Sequence, residues 1–154
     1  MKSVGIICEY NPFHNGHLYH LNKVKELYPD HTIILIMSGN FTERGDVSII
    51  NKWDKTRLAL DYGVDIVVEL PYVFASESAD KFAYASMNML NELNVEAIVF
   101  GSESNNIDKL YELADIQLND KKYNRLVKEY LEEGINYPTA LSKALYELTG
   151  KKNR

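Results

Sequence analysis

The sequence predicts an α/β fold, a parallel sheet covered by helices on both faces and followed by a short all-helical stretch. Three observations carry this. Four short, continuous apolar runs rich in Val and Ile fall at residues 4–8, 32–37, 66–70 and 97–100, and such runs suit strands buried on both faces. Helical periodicity fills the intervals between them, which argues for β-α-β units. The strand signal stops after Glu103, where three helical patterns follow. With 154 residues, 45% hydrophobic and 25% charged, the chain has enough apolar side chains for a proper core.

The first run, Val4-Gly5-Ile6-Ile7-Cys8, leads through a proline turn into a helix over residues 16–27, with Leu18, Leu21, Val24 and Leu27 on its apolar face. The second is followed by a loop over residues 38–46, whose two glycines and mixed polar groups make it a substrate-facing segment rather than a simple connection. A helix over residues 52–62 then carries Trp53, Leu58, Leu60 and Tyr62. The third run closes in Glu69-Leu70-Pro71, which puts a carboxylate on the same rim. A helix over residues 79–93 carries Phe82, Ala83, Met87, Leu90 and Leu93, and the fourth run ends in Gly101-Ser102-Glu103-Ser104. That segment reads either as a strand-to-helix turn, with Ser104 or Asn105 as N-cap, or as part of a ligand crevice. Helices follow over residues 107–114, 121–133 and 138–148. The expected domains are residues 1–104 and 105–154.

Charge narrows the partners. The net charge is −5, with 8 Lys/Arg against 14 Asp/Glu in residues 1–103 and 9 against 8 beyond. An acidic chain suits stand-alone nucleic-acid binding poorly. The basic tail of Lys121, Lys122, Arg125, Lys128, Lys151, Lys152 and Arg154 reads equally as a solvated face or an RNA contact. No apolar stretch reaches the length of a membrane span, and no signal-peptide pattern precedes Met1-Lys2-Ser3-Val4. A single cysteine excludes an internal disulfide and fits a reducing cytoplasm; in its apolar run, Cys8 reads as a small core residue rather than a reactive thiol.

The chemistry concentrates at His14-Asn15-Gly16-His17, between the first strand and the first helix. Backbone N–H groups and the helix dipole favour an anion there. Gly16 lets a flat ring or a phosphate approach the backbone, and His14 and His17, about one turn apart, can face one ligand. Imidazoles donating to a phosphate suit phosphoryl or nucleotidyl transfer; the plainer reading is two polar surface residues at a helix start. In an open parallel sheet, ligands bind beyond the carboxyl ends of strands where the strand order reverses. If the first and fourth strands are neighbours, Gly101 lies beside the nucleotide and Glu103 within reach of a metal or ribose. Arg44 can hold an anion or pair with Glu43 or Asp46. Lys52, Lys55 and Arg57 open a helix where cations oppose the dipole, so either an anion or Asp54 and Asp61 must compensate. A zinc site from His14, His17 and His20 lacks a fourth partner.

His14-Asn15-Gly16-His17 resembles the first signature of the nucleotidyltransferase superfamily shared with class I aminoacyl-tRNA synthetases, whose catalytic domain is Rossmann-like (HUP). Residues 5–17, Met37-Ser38-Gly39-Asn40-Phe41, Arg44-Gly45, Val68-Glu69-Leu70-Pro71 and Phe100-Gly101-Ser102-Glu103 together look like the bacterial tRNA(Met) cytidine acetate ligase family. Asn136-Tyr137-Pro138 continues the match more loosely. The resemblance implies an ATP-dependent ligase, with Mg2+ accompanying ATP. Acetate would form acetyl-adenylate, and the acetyl group would pass to N4 of wobble cytidine 34 of elongator tRNA(Met). It implies His14 and His17 as catalytic residues. It maps nucleotide binding onto Ile7, Cys8, Glu9, Tyr10, Asn11, Pro12, Phe13, His14, Asn15, Gly16, His17, Leu18, Tyr19, His20 and Gly101, and a substrate loop onto Ser38, Gly39, Asn40, Arg44 and Glu103. The family's chain is longer, with a Pro-Asn element and a Ser-Ala-Thr-x-x-Arg-like motif that are not found here, so the resemblance implies either an N-terminal fragment or an abbreviated relative, with incomplete ATP binding in both cases. Two other functions fit the residues: an adenylyltransferase acting on a phosphorylated small molecule, and a non-catalytic nucleotide- or RNA-binding module.

Overall fold

The computed structural model describes residues 2–103 and 105–150. The elements run β1 (Ser3–Ile7), α1 (Asn15–Leu27), β2 (Thr32–Ser38), α2 (Lys52–Asp61), β3 (Ile66–Leu70), α3 (Tyr72–Ala75), α4 (Ala79–Glu92), β4 (Ala97–Ile98), α5 (Ile107–Asn119), α6 (Lys121–Glu132) and α7 (Tyr137–Thr149). The chain divides into two units, residues 1–101 and 102–154. In the first, all four strands are parallel in the order β3-β2-β1-β4, the α/β sheet that the alternation of strands and helices predicts. Val4 lies opposite Ile33 of β2 on one side and Ala97 of β4 on the other. The strand order thus reverses between β1 and β4, directly below the histidine turn.

Strand β2 shows why the apolar runs are continuous. Successive side chains of a strand point to opposite faces. Ile33, Leu35 and Met37 enter one core with Val4, Ile6, Leu21, Val24 and Ala59. Ile34 and Ile36 enter a second with Leu70, Ala75, Ala85 and Leu90. Each fully buried aliphatic side chain contributes about 1.5–3 kcal/mol, so neither face of β2 tolerates a polar residue cheaply.

Several expectations are corrected. Strand β4 covers Ala97–Ile98 instead of running to residue 100: Val99 N–H still donates to Gly5 O at 3.0 Å, but Phe100 turns out to solvent. The short helix α3 went unread in the sequence; Pro71 opens it, its carbonyl accepting from Phe74 and Ala75 N–H. Helix α5 extends to Asn119, past the expected residue 114, because Ile116 continues the stripe of Leu113 against the helical core before Asp120 starts the next helix. The Asp120 side chain then accepts from Lys122 and Tyr123 N–H and starts α6. The N-cap of α5 is Asn106, which accepts from Lys109 N–H at 3.0 Å. Asn105 instead sits in the left-handed region with φ +43, and the other candidate cap, Ser104, lies outside the described residues, as do Lys151, Lys152 and Arg154.

The second unit packs Tyr123, Leu126 and Val127 of α6 against Ala140, Ala144 and Leu145 of α7. Among the described residues no helix is long and apolar enough to cross a membrane.

Candidate active site

The turn after β1 rests on an aromatic floor. Cys8 N–H prolongs the ladder to Ile36 O at 3.1 Å, and the chain then climbs over the carboxyl edge of the sheet. Tyr10, buried and at φ +48, packs its ring 4.9 Å from both Phe13 and His17. Phe13 in turn stacks on Tyr62 at 4.8 Å. Aromatic pairs at these separations add about 0.5–1.5 kcal/mol each beyond their buried area. Burial pushes the Tyr10 phenol well above its ordinary value, and it pushes the Cys8 thiol up as well. Both stay protonated at neutral pH, and Cys8 is a packing residue.

On this floor the two histidines cap the helix they belong to. His14 is the N-cap of α1: its Nδ1 accepts from Gly16 N–H at 3.0 Å. His17 reaches back, and its Nδ1 accepts from His14 N–H at 3.3 Å. The rings stack with centroids 3.8 Å apart and planes at 26°. This is the reciprocal logic of a capping box, built from imidazoles instead of Ser and Glu. It fixes the tautomers, because a backbone N–H can only donate, so each Nδ1 keeps its lone pair and each neutral ring carries its proton on Nε2. Two Nε2–H donors are thereby left for a ligand. Burial, then the neighbouring His14 and His20, hold His17 below the ordinary imidazole value, which keeps its ring neutral at neutral pH. A Cβ on Gly16 would lie 2.8 Å from His14 Cε1, which makes glycine a requirement of the cap.

A second layer ties the turn to its neighbours. Lys55 of α2 is fully buried. Its Nζ donates to Ser38 O at 2.9 Å and to Glu9 O at 3.1 Å, joining the carboxyl ends of β1 and β2. Desolvation lowers its pKa, opposed by Glu9, Cys8 and Glu69 in that order. Glu9 Oε1 accepts from Glu43 N–H at 2.8 Å, and Asn11 Oδ1 accepts from Ile49 N–H at 2.7 Å and Ser48 Oγ at 3.0 Å. The β2–α2 loop is therefore clamped to the histidine turn through Glu9 and Asn11. Asn40 Oδ1 accepts from Lys52 N–H at 2.9 Å and closes the loop onto α2.

The other residues singled out in the sequence divide by place. Ile7 ends β1, and Asn15, Leu18, Tyr19 and His20 follow on α1. The Asn11–Pro12 peptide bond is cis. His20 is half-buried and held low by burial, with the Val99 backbone opposing, which places it against the end of β4. Gly101 is open, with nothing within 4 Å of a Cβ built on it. Ser38 and Gly39 lie buried at the end of β2, while Asn40 and Arg44 are exposed. Among the described residues Arg44 makes no ion pair, so the pairing with Glu43 or Asp46 does not occur. Glu103 belongs to the second unit and is exposed. Asp54 does compensate Arg57, at 3.3 Å, and Lys52 pairs with Glu69 at 2.7 Å. Among the described residues no three His, Cys, Asp or Glu side chains gather as a metal-ligand set. Sequence reasoning missed the burial of Lys55. The signal was its spacing of four from Ala59, which puts both on the buried face of α2.

A strand, a glycine-bearing histidine turn and a helix, set where a parallel sheet reverses its strand order, define a nucleotidyltransferase. The chain belongs to the HIGH Nucleotidyl Transferase family, which matches residues 1–154. Its similarity then narrows to one kind of relative. The tRNA(Met) cytidine acetate ligase of Fusobacterium nucleatum subsp. nucleatum is 50% identical over 144 residues, which is 94% of this chain and 36% of the relative. The crystal structure of Thermotoga maritima TmcAL bound with alpha-thio ATP matches with a TM-score of 0.86 at 42% identity, over 97% of this chain and 38% of that one. The apo form of the same protein matches with a TM-score of 0.89 at 42% identity, over 97% and 37%. The chain thus spans little more than a third of the length of these relatives.

Proposed function

We propose that this chain activates acetate with ATP and serves the acetylation of N4 of wobble cytidine 34 in elongator tRNA(Met), with ATP taken up as its Mg2+ complex. The observation that carries the reading is the interlocked His14–His17 cap, which leaves two Nε2–H donors at the mouth of α1. The names of the similar proteins, and the ATP analogue in one of them, support the same substrates. An acetate oxygen attacks the α-phosphorus of ATP, the bond to the bridging oxygen breaks, and pyrophosphate departs with the electron pair. His14 and His17 Nε2–H donate to phosphate oxygens as charge collects on the leaving group, where preorganised donors lower the barrier most. In the second half, cytidine N4 attacks the acetyl carbon, AMP leaves, and N4 loses one proton. Ser38, Gly39, Asn40 and Arg44, clamped beside the turn by Glu9 and Asn11, line the acceptor side, and Gly101 leaves room on the β4 side. The reading locates the protein in the cytoplasm, where charged and uncharged tRNA and ATP coexist.

Incorporation of labelled pyrophosphate into ATP tests this. In a chain carried to the full length of these relatives, exchange is expected with acetate, and neither nicotinate mononucleotide nor phosphopantetheine is expected to replace it. His17→Ala is expected to retain the fold and to lose about a hundredfold or more in rate, the usual effect of removing one such donor. Exchange that ignores acetate and responds to a phosphorylated small molecule would assign the domain to an adenylyltransferase instead.

A further inference from the structure

The ring of His17 is held by more than its hydrogen bond. Its Nδ1 accepts from His14 N–H at 3.3 Å, just beyond the usual range for a nitrogen donor, so that bond alone orients the ring weakly. Aromatic neighbours surround it: His14 at 3.8 Å, Tyr10 at 4.9 Å and Phe13 at 5.7 Å between centroids. Tyr10 sits deepest, 1% exposed, in the core that also takes Val4, Ile6 and Val24. It is a costly residue for its place. The backbone there adopts φ +48, a region in which bulky side chains are outliers. The phenol oxygen is buried and has no hydrogen-bond partner among the described residues, so the hydroxyl gives up water without replacement. An aliphatic side chain would fill the same core without that second cost.

We propose that Tyr10 is a positioning residue for His17, its ring holding the imidazole in the orientation that turns Nδ1 to the helix backbone and Nε2–H to the mouth of α1. This rests on the reading above that Nε2–H of His17 serves a phosphate. Half a turn of the imidazole about its Cβ–Cγ bond exchanges Nδ1 with Cδ2 and Nε2 with Cε1. One rotation thus breaks the bond from His14 N–H and withdraws the donor from the ligand. The Tyr10 ring meets the imidazole tilted by 48° rather than parallel. The two orientations therefore present different edges to it, and contacts of an edge with a π face depend on which edge is offered. Exchanging an aromatic partner at this separation for an aliphatic one shifts such an equilibrium by about two- to tenfold. The hydroxyl takes no part, since it bonds nothing, so phenylalanine should hold the imidazole as tyrosine does.

Nuclear magnetic resonance reads the orientation on the chain itself. The His14 amide proton faces Nδ1 of His17 in the capped ring and Hδ2 in the turned one, so cross-relaxation between that amide and Hδ2 reports the turned ring alone. The signal is expected to be absent from the original chain and from Tyr10→Phe. In Tyr10→Leu, which keeps an apolar side chain and removes the ring, it is expected to appear as the turned population rises about two- to tenfold. Val24→Ala removes apolar bulk from the same core and should leave the signal absent, which separates positioning from lost packing. No change at His17 in folded Tyr10→Leu, the same change in Val24→Ala, or a change in Tyr10→Phe would each overturn the proposal. A turned ring already present in the original chain, with Tyr10 in place, would overturn it whether or not Tyr10→Leu folds. Pyrophosphate exchange in His17→Ala reads the phosphate role separately. An unmoved ring in Tyr10→Leu with exchange lost in His17→Ala would remove this inference alone, and the opposite pair of results would remove the phosphate reading alone.

Discussion

Replacing Lys55 by methionine tests what holds the carboxyl edge of the sheet together. The fully buried ammonium donates to Ser38 O at 2.9 Å and Glu9 O at 3.1 Å. Methionine keeps the apolar stem and removes both bonds. Each buried carbonyl left without its donor costs about 1–3 kcal/mol, and relief of the ammonium's desolvation returns part of that. We expect a net loss of about 2–4 kcal/mol. In a unit of this size 1 kcal/mol moves the melting temperature by roughly 4–8 °C, so the drop is on the order of 10–30 °C. Lys52→Met is the matched control, since it removes the partly exposed pair with Glu69 and should cost about 1 kcal/mol or less. Urea unfolding at neutral pH, followed by far-ultraviolet circular dichroism, measures both. A loss in Lys55→Met no greater than in Lys52→Met would refute the idea that Lys55 fastens β1 to β2.

Two further outcomes follow from the same contacts. His17 and His20 are held below the ordinary imidazole value, mainly by burial. The unfolded chain takes up protons near pH 6.5 while the folded chain does so lower, so stability is full above that value and is lost as pH falls through the window beneath it. Urea midpoints measured at falling pH should show this, and His17→Phe should flatten the slope. Asn11→Ala removes the acceptor for Ser48 Oγ and Ile49 N–H and should loosen the β2–α2 loop. Trypsin should then cut after the exposed Arg44 roughly tenfold faster, as expected for about 1–1.5 kcal/mol of lost hydrogen bonding.

The sheet was legible because burial on both faces writes a short Val- and Ile-rich run into β1 and β2, and the partly exposed edge strands β3 and β4 carry runs of the same composition. The histidine turn stood out in the sequence because a glycine between two imidazoles at a helix start limits what the turn can do, and the structure brings the two rings together at the mouth of α1. That each histidine accepts from a backbone N–H was not legible, since imidazole is outside the usual set of N-cap side chains and the pairing depends on ring orientation. Lys55 illustrates another limit. A lysine near a helix start reads as a surface cation, and its burial appears only when the carbonyls of Glu9 and Ser38 are brought together by pairing of β1 with β2. The Lys52–Glu69 pair likewise joins residues 17 apart in sequence, a separation that carries no periodic signal. Helix α3 is four residues long, too short for any apolar stripe to announce it.

We propose that His14 and His17 hold their Nδ1 lone pairs on the helix backbone and offer Nε2–H to phosphate. Nitrogen-15 chemical shifts of the imidazoles measure this directly, with and without alpha-thio ATP. We predict unprotonated Nδ1 and protonated Nε2 in both rings at neutral pH. On adding the nucleotide, the Nε2 shifts of both should move, while those of His31, which lies against Glu96, stay in place. Nδ1–H tautomers at either position, or nucleotide-induced shifts absent from both rings, would contradict it.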